Sequence, residues 1–269
     1  MSTCSGPPYA YYRVEGGRIF CEGLLEHSLA TARLALMVFG ERLNKTFGTR
    51  SVDLLKISAY LHDVGKASDH YYRTLKKDVD TMSFRLHHFV SSLVLYLSHI
   101  MGKSDDRTLQ LASYIALRHH QAMKSTLEAR QPQFYSESSR PQSEIALVVR
   151  GLNEDWIQRL LCVGVEKGFI SKEYSELILR TVKELKRLSN REINVLSTNL
   201  ASSSEIDIND RKLIVSVAGA IMVADNVISA LNRGGESTLV RMWIREMPYL
   251  EEVARYCIEE SKKVVSNKQ

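Results

Sequence analysis

Cysteine is scarce and unpatterned: Cys4, Cys21, Cys162 and Cys257 include no CxxC pair and no other zinc-ligand spacing. Thiolate metal clusters are therefore excluded, and the four read as unpaired intracellular thiols. Residues 1–22 lack a basic segment followed by an apolar core, so no secretory signal is recognisable. The longest apolar run, Leu213 to Leu231, is interrupted by Asp225-Asn226. About a dozen continuous apolar residues remain, too few to cross a bilayer, and the run reads as a buried core helix. No stretch alternates apolar and polar residues as a half-buried strand does, although the first 22 residues leave room for a small hairpin. No internal repeat or low-complexity segment is present. The phosphate-binding loop of nucleotide-hydrolysing motors is absent as well. Gly102-Lys103-Ser104 would need a glycine where Leu97 stands, and Gly65-Lys66 would need one where Tyr60 stands.

What is present is ordinary for a globular protein with a sizeable core. Of 269 residues, 44% are hydrophobic and 25% charged, with a net charge of +5 and a pI near 8.9. That mild basicity suits a polyanionic partner without demanding one. The expectation is a soluble cytoplasmic protein with no membrane association. Helical periodicity dominates. Leu25, Leu29, Leu36, Phe39 and Leu43 mark one buried face of a helix over 24–43. Ser51 is placed to cap a second helix through Leu54, Leu55, Ile57 and Leu61, with Gly65 as its terminator. Further helices are predicted at 83–101, 105–121, 153–167, 171–189, 210–232 and 248–265. Two polar stretches interrupt them: a loop over 124–143 with Pro132 and Pro141, and a Ser-rich connector over 198–210. Candidate site residues flank both, so a single all-α domain over 1–269 is predicted, with a ligand-bearing core at about 24–232.

Chemistry concentrates in a few residues. Residues 60–66 read Tyr-Leu-His-Asp-Val-Gly-Lys, and His62-Asp63 stands near a predicted helix end, where adjacent side chains can reach one point. A carboxylate can bridge two cations, whereas a neutral imidazole binds one. Alone the doublet reads more readily as a hydrogen-bonded helix end than as a site. His27 alone reads as a helix histidine. His119-His120 closes an apolar-faced helix, and at most one of the two can share that face. For His87-His88 helical geometry separates the pair. His87 shares its side with Val90, Ser91 and Val94 and leans inward, whereas His88 shares its side with Ser91, Ser92, Leu95 and His99 and leans outward. Asp225 is a lone formal charge in an apolar helix. Such a carboxylate must be neutralised, paired or metal-bound, because burial without a partner costs several kcal/mol or more. Lys66 is either a solvated helix-end cation or a charge for a phosphate oxygen. Arg118, near the polar loop, is a candidate contact to a phosphate backbone.

The ordered set His27, His62-Asp63, His87, His119-His120 and Asp225 resembles the HD superfamily of metal-dependent phosphohydrolases. More narrowly it resembles the stand-alone HD nuclease of CRISPR type I systems, the form lacking a helicase. Glu26-His27-Ser28, residues 61–68 (Leu-His-Asp-Val-Gly-Lys-Ala-Ser), residues 86–92 (Leu-His-His-Phe-Val-Ser-Ser), Arg118-His119-His120 and residues 224–229 (Ala-Asp-Asn-Val-Ile-Ser) carry the likeness. The resemblance implies one metal held by His27, His62, Asp63 and Asp225, and a second held by Asp63, His87, His119 and His120. It implies two divalent ions, from Mn, Mg, Ni, Co or Fe, with histidine-rich ligation favouring the others over Mg. It also implies single-stranded DNA, or RNA, as substrate, and a separate helicase and CRISPR surveillance complex as partners. The doublet His87-His88 and the polar stretch after His120 depart from the usual pattern. The expected reaction is hydrolysis of a phosphodiester, with Asp63 and Lys66 as the residues closest to the chemistry. A nucleotide phosphohydrolase or a cyclic-nucleotide phosphodiesterase is the rival enzyme, although the Gly-Tyr-Pro motif of the cyclic-dinucleotide enzymes is absent. A non-catalytic adaptor within a CRISPR complex is the rival of another class.

Overall fold

The computed structural model describes residues 6–73, 81–103, 106–119, 140–201, 206–233 and 238–267. The chain opens with a hairpin of β1 (Tyr9–Glu15) and β2 (Arg18–Gly23), antiparallel, with Glu15 opposite Arg18. Gly16 and Gly17 both adopt positive φ, 56° and 74°, as a two-residue turn matched to the strand twist requires. Among the described residues the elements after the hairpin are helices: α1 (Leu24–Phe47), α2 (Thr49–Leu61), a 3-10 turn at Val64–Lys66, α3 (Asp69–Arg73), α4 (His87–Gly102) and α5 (Thr108–Arg118). Then follow α6 (Arg140–Arg150), α7 (Glu154–Glu166), α8 (Lys172–Arg187), α9 (Asn190–Ala201), α10 (Ile208–Arg233), α11 (Thr238–Glu246) and α12 (Tyr249–Ser266). The predicted all-α class is found, with the hairpin as its sole sheet among the described residues.

The core forms where α1 packs on α2, α10 and α12, and where α4 packs on α5 and α8. Leu29, Leu34, Leu54, Leu55, Leu61, Leu93, Leu111 and Ile115 are fully buried between them. The helix α10 is long and apolar enough to cross a membrane by length and composition. Here it packs against α1, α2, α5 and α12 and buries Leu213, Ile214, Val217, Ile221, Val227 and Ile228, as a core helix does.

Several expectations need correction. Of the predicted polar loop 124–143, residues 124–139 lie outside the described residues, and 140–143 open α6. The signal in α6 was short, because its apolar residues occupy only the second half, where Ile145, Ala146, Val148 and Val149 are buried. The connector at 198–210 is helical as far as Ala201 and again from Ile208. In α9, Ile193, Leu196 and Leu200 supply the buried face, which the polar Asn and Ser residues around them obscured. Ser51 does not cap α2. Gly48 holds the N-cap position, and the Ser51 hydroxyl donates to the Gly48 carbonyl at 2.6 Å. Cys162 and Cys257 are free thiols, but Cys21 is disulfide-bonded.

Gly65 also has a different role from the one expected. The helix α2 has already ended at Leu61, and Gly65 instead lies against the first turn of α4. A Cβ there would come within 2.2 Å of the His87 carbonyl oxygen and 2.9 Å of the Ser91 nitrogen. Both are backbone atoms, so neither can rotate away. The Gly65 N–H donates to Ser91 Oγ at 2.8 Å and fastens the approach. Gly65→Ala is expected to destabilise the protein by roughly 2 kcal/mol or more. Thermal unfolding should then show a Tm about 5 °C or more lower. An unchanged Tm would mean that α4 can shift at no cost.

Candidate metal centre

Helix ends build the site. His62 directly follows α2, His87 opens α4, and His119 caps α5. The last carbonyls of a helix have no N–H partner within it, and two imidazoles use them. His62 Nδ1 donates to the Ala59 carbonyl at 2.8 Å, and His119 Nδ1 donates to the Ala116 carbonyl at 2.6 Å. His87 Nδ1 bonds the Phe84 carbonyl in the turn just before α4. Leu86, at φ 65°, takes the left-handed conformation to make that turn, an uncommon state for a branched residue. His27, in the first turn of α1, turns its Nδ1 to Glu22 Oε1 at 2.9 Å. Each of the four rings thus has Nδ1 committed outward, which assigns the tautomer and leaves Nε2 for the interior.

The four Nε2 atoms meet at Asp63, and the two carboxylate oxygens divide them. Oδ1 lies 3.0 Å from His87 Nε2 and 3.8 Å from His119 Nε2. Oδ2 lies 3.5 Å from both His27 Nε2 and His62 Nε2, and 2.6 Å from Lys66 Nζ. Asp225, projecting from the middle of α10, brings Oδ1 to 3.1 Å from His27 Nε2 and accepts a hydrogen bond from Ser229 at 3.3 Å. Ligand atoms of His27, His62 and Asp63 lie within 4.8 Å of one another, as do those of Asp63, His87 and His119. The same holds for His62, His119 and Asp225, so His119 stands between the two halves rather than wholly in one.

Burial makes this arrangement costly without a cation. His27, His62, Asp63 and His119 are at most 1% exposed. His27 Nε2, His62 Nε2 and Asp63 Oδ1 have no hydrogen-bond partner among the described residues. His27 Nε2 lies 3.1 Å from Asp225 Oδ1, close enough for charge pairing. Desolvation alone would push the Asp63 carboxyl up; the Lys66 ammonium and the His62 and His87 rings override it and hold it well below the usual carboxylate range. Asp225 is held low in the same sense, by His27 and His62 against desolvation. Burial lowers His62 below its ordinary value. For His27 burial also pulls downward, but Glu22 and Asp225 outweigh it and raise the ring to about 10. Once His27 gives up its Nε2 proton, neutral imidazoles and ionised carboxylates with inward lone pairs form a donor set suited to first-row divalent cations.

The sequence-predicted residues are distributed as follows. His27, His62, Asp63, His87, His119 and Asp225 converge. His120 lies outside the described residues. His88 is half-buried beside the cluster, its ring centroid 5.5 Å from that of His87 and 6.4 Å from that of His119. Lys66 is not a solvated helix end. It is 7% exposed, donates also to the Ala10 carbonyl at 3.2 Å and lies over the Phe84 ring. Arg118 is exposed on the turn before His119. Sequence reasoning missed Glu22, a buried carboxylate at the foot of β2. Asn232 donates to Glu22 Oε1 at 2.7 Å, and Arg233 lies 3.6 Å from Oε2, both from the end of α10. Its five-residue offset from His27 follows no helical rule, and only the strand-to-helix corner brings the two together.

Glu22 acts on the centre through His27. A partner that orients an imidazole typically accounts for 10–100-fold in metal affinity. Glu22→Ala is expected to weaken Mn binding by roughly tenfold or more, and Glu22→Gln, which keeps an acceptor oxygen, by less. Competition with a metal-sensing dye measures both. Equal affinity in Glu22→Ala and the unmodified protein would remove Glu22 from the centre.

Residues 24–227 match the family model described as HD domain. No curated protein and no solved structure matches the chain. The matched span covers about three quarters of the sequence and contains His27, His62, Asp63, His87, His119 and Asp225, the same residues that meet in the interior. The chain belongs to the HD domain family, the metal-dependent phosphohydrolases.

Proposed function

We propose that this chain is a nuclease that hydrolyses phosphodiester bonds of single-stranded DNA, with RNA as a further substrate, in CRISPR interference, working beside a separate helicase and surveillance complex. The observation that carries the catalytic part is the division of Asp63, one oxygen facing His87 and His119 and the other facing His27 and His62. A carboxylate shared in this way suits two cations. His27, His62, Asp63 and Asp225 would hold one, and Asp63, His87 and His119 the other, with His120 added by the family resemblance. When bound, such ions lower the pKa of water and neutralise phosphoryl oxygens, so no separate general base is needed. The CRISPR part rests on the motif extensions, in which two serines have structural roles. Ser91 receives the Gly65 N–H, and Ser68 donates to the Val148 carbonyl at 2.7 Å. A helicase and CRISPR-associated genes encoded beside this one would support it.

The protein's own groups supply position and charge. Lys66, anchored between Asp63 and the Ala10 carbonyl, keeps the shared carboxylate ionised. It also adds fixed positive charge where negative charge develops on a phosphoryl group. The outward Nδ1 bonds hold the four rings in place before any ligand arrives, so little reorganisation remains at the moment of reaction.

Asp63→Ala should abolish cleavage of single-stranded DNA by the Mn-loaded protein, a loss of at least about 10²-fold, with far-ultraviolet circular dichroism unchanged. Retained cleavage would sink the proposal, and hydrolysis confined to mononucleotides would replace it with the nucleotide phosphohydrolase reading. Metal loading is also expected to release protons. His27 is raised to about 10 by Glu22 and Asp225 against burial, so it is protonated at neutral pH and must lose a proton before Nε2 can coordinate. Affinity should therefore rise with pH through neutrality and level off near pH 10. Calorimetry in buffers of different ionisation enthalpy reads the number released; zero at pH 7 would mean that His27 does not enter the site protonated.

A further inference from the structure

We propose that the outer face of the β1–β2 hairpin is the track along which a single-stranded nucleic acid reaches the metal centre. This rests on the nuclease reading above and adds a binding surface to it. Directly paired residues of an antiparallel ladder share a face, and alternate residues return to it. The register sets Tyr11 opposite Glu22, Arg13 opposite Phe20 and Glu15 opposite Arg18, so these six side chains project from one face. Tyr12, Val14, Ile19 and Cys21 project from the other, where Tyr12 and Cys21 pack on the core.

The first face begins at the site and runs outward. At its foot Glu22 holds His27, and the adjoining Ala10 carbonyl holds Lys66. Opposite Glu22 stands Tyr11, with the Arg233 guanidinium 4.2 Å over its ring. Beyond it stand Phe20, 40% exposed, and the exposed Arg13 and Arg18. The row is roughly 14 Å long at strand spacing. Both carboxylates on the face are engaged: Glu22 by His27, Asn232 and Arg233, and Glu15 by Arg13 at 2.9 Å. Arg18 pairs with no carboxylate among the described residues. Aromatic rings interleaved with guanidinium groups are what single strands use, bases stacking on rings while cations follow the phosphates. A protein partner would call instead for a contiguous apolar patch. Ile19 and Phe20, the two large exposed apolar residues here, point to opposite faces.

The test uses the full chain with chelator present, so that nothing is cleaved, and fluorescence anisotropy of a labelled oligothymidine. Phe20→Ala is expected to weaken binding by roughly tenfold, while Phe20→Tyr, which keeps a stacking ring, stays near the unmodified protein. Arg18→Ala should make the slope of log affinity against log salt shallower by about 0.7. In parallel, the Mn-loaded variants should hydrolyse bis(para-nitrophenyl) phosphate at the unmodified rate, since neither residue touches the centre. Unchanged strand affinity in Phe20→Ala and Arg18→Ala overturns the track. An unmodified protein that hydrolyses the small diester yet binds no strand overturns it too and leaves the phosphodiesterase reading standing. Loss of strand binding in Phe20→Ala alongside an inert unmodified protein keeps the track and removes the catalytic reading.

Discussion

The structure depends on keeping one carboxylate charged in a place that disfavours charge. Asp63 is 1% exposed, and taking a carboxylate out of water costs several kcal/mol unless opposite charge and hydrogen bonds repay it. The Lys66 ammonium at 2.6 Å is the nearest such charge, with the imidazoles of His27, His62, His87 and His119 around it. Each ring is in turn held from behind. The desolvation of one group therefore recruits four rings, one lysine, three backbone carbonyls and Glu22. Removing any outer member loosens a ring that the carboxylate needs.

Helix ends are what make this network affordable. A histidine in mid-helix has no spare backbone acceptor, because the carbonyls around it are used within the helix. At the ends of α2 and α5 the Ala59 and Ala116 carbonyls lie within reach of the imidazole three residues on, and before α4 the Phe84 carbonyl accepts from both the N–H and the Nδ1 of His87. The imidazole then satisfies an orphaned acceptor and gains a fixed tautomer at once. Gly65 lets the 3-10 turn after His62-Asp63 lie against the first turn of α4, which sets Asp63 and His87 within 3.0 Å. Asp225 is the exception, a mid-helix ligand candidate. A carboxylate needs no tautomer, and Ser229, one turn on, accounts for one of its lone pairs.

Most of the fold and of the site's inner layer was legible in the sequence, because both depend on local patterns. The 3.6-residue apolar period marked α1, α2, α4, α5, α7, α8, α10 and α12. Residue type and order marked the histidines and aspartates. The short helices α3, α6, α9 and α11 escaped. Their buried faces span only a turn or two, as Val240 alone shows for α11, and flanking polar residues carry the signal of a loop. The Gly16-Gly17 pair was a readable hairpin signal, but the strands around it do not alternate cleanly, since one of the two faces is itself half aromatic. The outer layer was not legible at all. Glu22, Asn232 and Arg233 meet across 210 residues of sequence, and no periodicity reports a contact of that kind.

That long-range contact gives His27 a position unlike those of the other three histidines. His62, His87 and His119 are braced by carbonyls three residues away, so their orientation survives whenever the local helix end does. His27 is braced by a strand residue that is itself held by the end of α10, the helix that also carries Asp225. Two ligand candidates thus hang on one helix, one directly and one through Glu22. A shift of α10 along its axis moves Asp225 and, through Asn232 and Arg233, the brace behind His27, while the half built from His87 and His119 stays with α4 and α5. The two halves therefore differ in kind. The His87–His119 half is a local construction, and the His27–Asp225 half reports whether the hairpin, α1 and α10 are correctly assembled. A metal held by the latter would be coupled to folding over the greater sequence distance, and closing that longer loop costs more chain entropy.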